Sequence, residues 1–382
     1  MIRDIYDEDH DAFRETVRQL IDKEVVPHLP AWEAAGIVPR DLFRKTADTG
    51  INGLQIPERF GGGGVESFRF NAVVLEEIGF AAVNLGGLQV HLSTVLPYFL
   101  EFADEEQKER WFPGFADGTL VSSIAMTEPG TGSDLAGVAT TARRDGDDYI
   151  LNGAKTFITG GINADLIVVV ARTSSDDSNR RKGLSLLVVE SGMPGFTRGR
   201  NLDKIGLKAQ DTAELSFDEV RVPAANLLGT EGEAFAALTS NLPQERLTIA
   251  VVAYATATAA LNLAIDYVKE RKAFGHRVAD FQNTKFVLAE CATEIEAAQA
   301  MVDRAIAALD AGTLTVADAA KVKLFCTEVQ SRVIDKCLQL HGGYGYMREY
   351  PIARLYADAR VSRIFGGTSE VMKSVVSKSL GL

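Results

Sequence analysis

The sequence predicts an α+β chain in three parts. An N-terminal helical domain covers residues 1–120, a middle antiparallel β domain 121–229 and a C-terminal four-helix-bundle domain 230–382. Three observations carry this. Apolar residues recur at helical spacing up to about residue 120; short β-rich runs follow with turn signals between them; long Ala-rich helical patterns fill the rest. At 382 residues the chain exceeds one compact core, so two or three domains are expected.

In the first part Phe13, Val17, Leu20, Ile21 and Val25 mark a helix that Pro27 and Pro30 are expected to close. Phe70–Ile78, ended by Gly79, and Leu85–Phe102, punctuated by Pro97, read as further helices. Gly61–Gly64 between them lacks the Gly-Lys-Ser/Thr ending of a phosphate loop and reads as a flexible connection. Runs around Val121–Met126, Tyr149–Leu151, Leu166–Ala171 and Leu184–Val189 are strand-like. Asp145-Gly146, Asn152-Gly153 and Lys182-Gly183 supply turns, and residues 176–182 are polar enough for an exposed loop. Ala253–Val268, Val287–Leu309 and Ala317–Leu340 are apolar on more than one face, as packed bundle helices are, and their spare faces suggest oligomerisation.

Composition narrows the function. A formal charge of -12 leaves no domain-wide basic surface to neutralise phosphates, which argues against nucleic-acid binding. Cys291, Cys326 and Cys337 are widely spaced and read as buried hydrophobes in a reducing compartment. The five histidines show no HExxH spacing, so no metal site is expected. No secretory or Arg-rich targeting pattern opens the sequence, and no apolar run of ~18 residues stands out as a membrane span. The expected location is cytoplasmic.

Five stretches carry candidate chemistry. Leu242-Pro243-Gln244-Glu245-Arg246 precedes a long apolar helical pattern. A carboxylate desolvated there would have the raised pKa that a general base near neutrality needs. The plainer account is a helix-start glutamate complementing the helix dipole. Met126-Thr127-Glu128-Pro129-Gly130-Thr131-Gly132-Ser133-Asp134 leaves a strand for a Gly-rich loop. It suits backbone approach to a flat or anionic ligand, or is an ordinary loop. In Asn152–Gly161, alternation would put Phe157 and Thr159 on one face of a hairpin strand. Arg271-Lys272-Ala273-Phe274-Gly275 with Phe281-Gln282 either complements a helix end or contacts phosphate or adenine. Gln339-Leu340-His341-Gly342-Gly343 ends a helix and is otherwise a glycine cap.

The order of these motifs resembles the acyl-CoA dehydrogenase family over nearly the whole chain. The resemblance implies an FAD site built by Met126, Thr127, Gly132, Ser133, Phe157, Ile158 and Thr159 in the β domain. It implies that Arg271, Phe274, Gln282, Gln339, Gly342 and Gly343 reach the adenine and pyrophosphate part of FAD across a subunit boundary of a homotetramer, a dimer of dimers. Thr368 and Glu370 would be flavin neighbours. The family position of Phe157 is often Trp, so an aromatic cover is kept and an indole N–H is lost.

One departure is informative. Many family members carry the catalytic glutamate in a Glu-Gly-Thr sequence near the C-terminus, where this chain has Gly366-Gly367-Thr368. The long-chain type instead carries its base on the bundle helix, and Leu242–Arg246 is similar to it. The resemblance therefore assigns the base to Glu245 and leaves Gly366 to offer its N–H to a thioester carbonyl. Ser133, Arg246, Phe365 and Gly367 are expected near the acyl-CoA substrate. The implied reaction is FAD-dependent α,β-dehydrogenation of acyl-CoA, with electron-transfer flavoprotein as electron acceptor. A flavin oxidase or monooxygenase on the same fold, and a non-catalytic acyl-thioester-binding relative, are the alternatives.

Overall fold

The computed structural model describes residues 3–175 and 179–382. Asp176-Asp177-Ser178, the start of the expected polar loop, therefore lies outside the described residues.

Helix α1 (Glu8–Leu20) starts on Asp7, whose side chain accepts from the Asp9 and His10 amides, and runs into one π turn over 21–25. Pro27 stands in the turn beyond, but Pro30 closes nothing. It lies in the first turn of α2 (Leu29–Ala35), where its missing N–H would have had no partner. After α3 (Asp41–Asp48), Gly61–Gly64 forms a tight turn rather than a loose link. The Gly63 and Gly64 amides donate to the Gly53 and Ile56 carbonyls, and a Cβ at Gly62 would overlap the Ile56 carbonyl. Gly79 does not end α4 (Phe68–Phe80). It lets α8 come close, since a Cβ there would stand 2.5 Å from Ala255 Cβ. The stretch expected as one helix over Leu85–Phe102 is composite: α5 (Gly87–Val90), a π turn over 91–95 and α6 (Leu96–Phe102), with Pro97 in the first turn of α6. Helix α7 (Glu105–Ala116) completes this part.

The strands are β1 (Ser122–Ala125), β2 (Thr141–Asp145), β3 (Asp148–Thr159), β4 (Leu166–Arg172), β5 (Leu184–Glu190), β6 (Phe196–Asn201), β7 (Thr212–Pro223) and β8 (Leu227–Leu228). They form one sheet in the order β6-β7-β3-β2-β4-β5-β8, with β1 against β4. The sheet is not purely antiparallel: β1 runs parallel to β4, Ser122 opposite Leu166. The chain from Met126 to Asp165, which includes β2 and β3, makes the crossover that a parallel pair needs. Asn152-Gly153 is not a turn but lies inside β3, at a bulge opposite β7. Gly153 is required there, because a Cβ would approach Thr140 Oγ1 to 2.5 Å.

Helix α8 (Ala234–Glu270) leads through the small hairpin β9 (Lys272–Ala273) and β10 (His276–Arg277) to α9 (Gln282–Asp310), α10 (Val316–His341), α11 (Pro351–Ala359) and α12 (Ser369–Ser379). Leu247, Val251 and Tyr254 of α8 pack with Ile295 of α9, Val329 of α10 and Leu75 of α4 in one continuous core. Cys291, Cys326 and Cys337 are buried in it. Contrary to the sequence expectation, α8 holds a stretch long and apolar enough to cross a membrane. In the fold most of that stretch is buried against its neighbours, as a central bundle helix must be. Glu76 of α4, fully buried, accepts from Arg3, Arg14, Tyr6 and Tyr254, tying the start of the chain to the bundle.

Candidate active site

A cavity of about 280 Å³ opens where the three parts meet. Val90 and Thr94 come from the N-terminal helices, Met126, Phe157 and Thr159 from the sheet, Glu245 and Ile249 from α8, and Phe365 and Gly366 from the segment before α12. Beyond Gln89 and Ser93, which line both spaces, lies a small apolar void of about 20 Å³ under α4.

Glu245 does not start a helix. It stands eleven residues after Ala234, three turns into α8, too deep for the helix dipole to account for it. The carboxyl group is 8% exposed, and its Oε1 accepts from the Tyr98 hydroxyl at 2.7 Å. Burial raises its pKa from 4.5 to about 7, opposed by the Tyr98 hydrogen bond and by Arg246. Arg246 is buried but does not line the cavity, contrary to the expected substrate contact. Successive helix residues point about 100° apart, so a residue beside Glu245 is turned away from the face that Glu245 shares with Ile249. Its Nε and Nη1 have no hydrogen-bond partner among the described residues, and burial lowers its pKa.

Gly366 and Gly367 take left-handed backbone angles, φ +63° and +96°. A Cβ at Gly366 would overlap Ile249 Cδ1. Gly367 does not line the cavity; its carbonyl accepts from Lys323 Nζ at 2.7 Å. Thr368 caps α12. Glu370, in the first turn of α12, is exposed and held below the ordinary carboxylate range, first by its own backbone amide. It is absent from the cavity wall and lacks the burial of a base.

On the opposite wall Phe157 sits at a second bulge of β3, between Lys155 and Ile158, with φ +59°. Its ring is 68% exposed and lines the cavity with Thr159, on the one face that alternation predicted. Ile158 points the other way, into the sheet core. Behind this wall Lys155 Nζ donates to Glu128 Oε1 at 2.8 Å and to the Met126 carbonyl at 3.1 Å. Glu128 also accepts from the Ala139 and Thr140 amides, so the Gly-rich loop is fastened at both ends. Although burial pushes the Glu128 carboxyl up, these hydrogen bonds hold it below its ordinary value. Thr127 is half-buried, its carbonyl accepting from the Thr156 amide, while Gly132 and Ser133 are exposed and lie outside the cavity wall.

The remaining predicted residues gather elsewhere. Arg271 ends α8 and lies over the Tyr344 ring at 5.5 Å, beside exposed Gln339, Gly342 and Gly343. Phe274, at the tip of the β9–β10 hairpin, is 93% exposed and meets the Phe281 ring next to Gln282. Arg271 is 26 residues beyond Glu245 on one helix, roughly 39 Å at 1.5 Å per residue. A single chain does not bring this patch to the cavity.

Sequence reading missed Tyr98 and Asp358. Asp358 lines the cavity, and burial raises its pKa to about 6. It accepts from the Leu207 amide, which commits it to holding that segment against α11. Neither residue lies in a motif; only the packing of α6 and α11 brings them in.

Three family models match: the acyl-CoA dehydrogenase N-terminal domain over residues 7–119, the middle domain over 123–220 and the C-terminal domain over 232–381. The long-chain specific acyl-CoA dehydrogenase of Sus scrofa is 46% identical over 379 residues, 99% of this chain and 88% of the relative. The crystal structure of acyl-CoA dehydrogenase from Geobacillus kaustophilus superposes with a TM-score of 0.98 at 46% identity, covering 100% of both chains. A chain in the structure of the electron transferring flavoprotein of Acidaminococcus fermentans matches at 0.92 and 36% identity, covering 98% of each. A glutaryl-CoA dehydrogenase from Mycobacterium smegmatis, solved in complex with FADH2, matches at 0.90 and 28%, covering 98% and 95%. With the cavity, its buried carboxyl and three matched domains in family order, this chain belongs to the acyl-CoA dehydrogenase family.

Proposed function

We propose that this protein dehydrogenates a saturated acyl-CoA thioester to the trans-2-enoyl-CoA, with FAD as cofactor and Glu245 as base. The observation that carries the reading is a buried carboxyl of raised pKa facing an aromatic-capped wall across one cavity. The wall fits a flat ring system: Phe157 presents an open aromatic face, and outside the wall the loop stays open to close backbone approach, since a Cβ at Gly130 or Gly132 would meet nothing within 4 Å. Met126, Thr127, Phe157, Thr159 and Thr368 would hold that ring, and Arg271, Phe274 and Gln339 of a neighbouring subunit the adenine end. FAD, when bound, supplies the two-electron acceptor for the β-hydride.

The chain's own residues do the rest. Glu245 takes the α-proton from the acyl group; at a pKa of about 7 a large share is ionised at neutral pH. The Gly366 amide offers a hydrogen bond to the thioester oxygen, where negative charge gathers as that proton leaves. Burial of Glu245 keeps water from the carboxyl and strengthens its interactions. As the α-proton and the β-hydride depart, the Cα–Cβ double bond forms. The acyl chain runs toward Gln89 and Ser93, behind which the apolar void lies. Family likeness supports a homotetramer and electron-transfer flavoprotein as the onward acceptor, the latter also through the matching chain of the Acidaminococcus structure.

The test is anaerobic titration of the flavoprotein with saturated acyl-CoA esters of graded length, following the visible flavin band. Wild type is expected to bleach, and Glu245→Gln to bleach about 10³-fold more slowly. Undiminished bleaching in the variant would remove Glu245 from the role.

A further inference from the structure

Tyr98 lies behind the proposed base, not in the cavity. Its ring is fully buried, and its hydroxyl makes a single hydrogen bond among the described residues, to Glu245 Oε1 at 2.7 Å. The path that brings it there is specific. The π turn over 91–95 interrupts what would have been one helix, so Tyr98, one turn on and just after Pro97, faces α8. A buried phenol needs a partner, and Glu245 is the one present.

We infer that Tyr98 is a positioning residue for Glu245, fixing one carboxyl oxygen so that the other faces the substrate and holding the group ready to ionise. This rests on the reading of Glu245 as base. Two observations beyond the bond support it. The hydrogen bond goes to an oxygen of a carboxyl that otherwise faces a mostly apolar cavity, so no competing donor reaches that oxygen among the described residues. A hydrogen bond to the ionised form also opposes the burial that pushes the carboxyl toward neutrality. The other charged group acting on Glu245 is Arg246, its neighbour on α8, which in turn acts on Lys323 of α10; Glu101, one turn beyond Tyr98, bears on the phenol. Tyr98 is the one neutral donor to Glu245 among the described residues.

Tyr98→Phe removes the hydroxyl and keeps the ring, so the fold and the cavity wall persist. Single-turnover flavin bleaching by one saturated acyl-CoA should be followed from about pH 5.5 to 9 in wild type, Tyr98→Phe and Glu245→Gln. The acidic limb of the rate profile is expected to move up by about one pH unit in Tyr98→Phe. Bleaching at pH 7 should slow about fivefold, while flavin content and the half-saturating acyl-CoA concentration stay within about twofold. An unmoved limb, with or without a slower rate, would reduce Tyr98 to packing and overturn the inference. If Glu245→Gln bleaches like wild type, the base assignment fails and the role of Tyr98 falls with it. If Glu245→Gln is inactive and Tyr98→Phe is unchanged, only the role of Tyr98 fails.

Discussion

At the scale of single residues, Glu245 is kept where a carboxyl group is poorly solvated, and that has a thermodynamic consequence. Its pKa is about 7 in the fold against an ordinary 4.5, so the folded chain holds this proton more tightly than the unfolded one. Stability from this group is therefore complete below pH 4.5 and is lost as pH rises to about 7. The loss is on the order of 3 kcal/mol at ~1.4 kcal/mol per unit. Thermal unfolding of apoprotein should show Glu245→Gln gaining on wild type across that window and holding a constant lead above it. A lead that does not change with pH would mean the carboxyl is solvated. In the sequence Glu245 stood out only through the resemblance of Leu-Pro-Gln-Glu-Arg to the long-chain type, since the stretch alone read more simply as a helix-start glutamate. Its environment was not legible: the desolvation comes from α6 and the cavity wall, which no local pattern encodes, and so Tyr98 went unseen.

At the scale of elements, the buried pair Lys155–Glu128 fastens the Gly-rich loop to β3. Lys155 is fully buried and Glu128 nearly so, so removing the cation strands a carboxylate in a poor solvent. Lys155→Met is expected to cost about 3–5 kcal/mol in urea unfolding, and to lower flavin content as the loop loosens. A variant with wild-type stability and full flavin would show that the loop is held by its backbone alone. Element types were mostly readable from periodicity, whereas their ends and joints were not. Pro30 and Gly79 look like stops, yet one begins a helix and the other sits inside one, because tertiary contact decided. Asn152-Gly153 has the composition of a turn, but the clash a side chain would make with Thr140 explains the glycine inside a strand. The parallel pairing of β1 with β4 is a long-range choice that composition does not record.

At the scale of the whole molecule, one chain holds the cavity at one end of the bundle and a patch of Arg271, Phe274 and Gly343 at the other, so the proposed cofactor site needs two subunits. Light scattering of holoprotein should give a particle of four 41.3 kDa chains; a monomer at micromolar concentration would refute this. Phe274→Ala should leave folding intact, since the side chain is 93% exposed in the single chain. Flavin content should nevertheless fall by about fivefold or more, as the loss of one aromatic contact of ~1–3 kcal/mol implies. Full flavin in Phe274→Ala would detach that patch from the cofactor.

The contact between Gly366 and Ile249 bears on what position 366 can hold. The family resemblance gives the base two possible addresses, and here the unused one is already filled by Ile249 from the helix that bears the other. A glutamate placed at 366 would push a side chain into that isoleucine from a left-handed backbone position. The end of the Ile249 side chain could turn aside, but the φ of +63° would still strain any side chain at 366. Carrying a base at 366 would thus need a change of backbone as well as of residue.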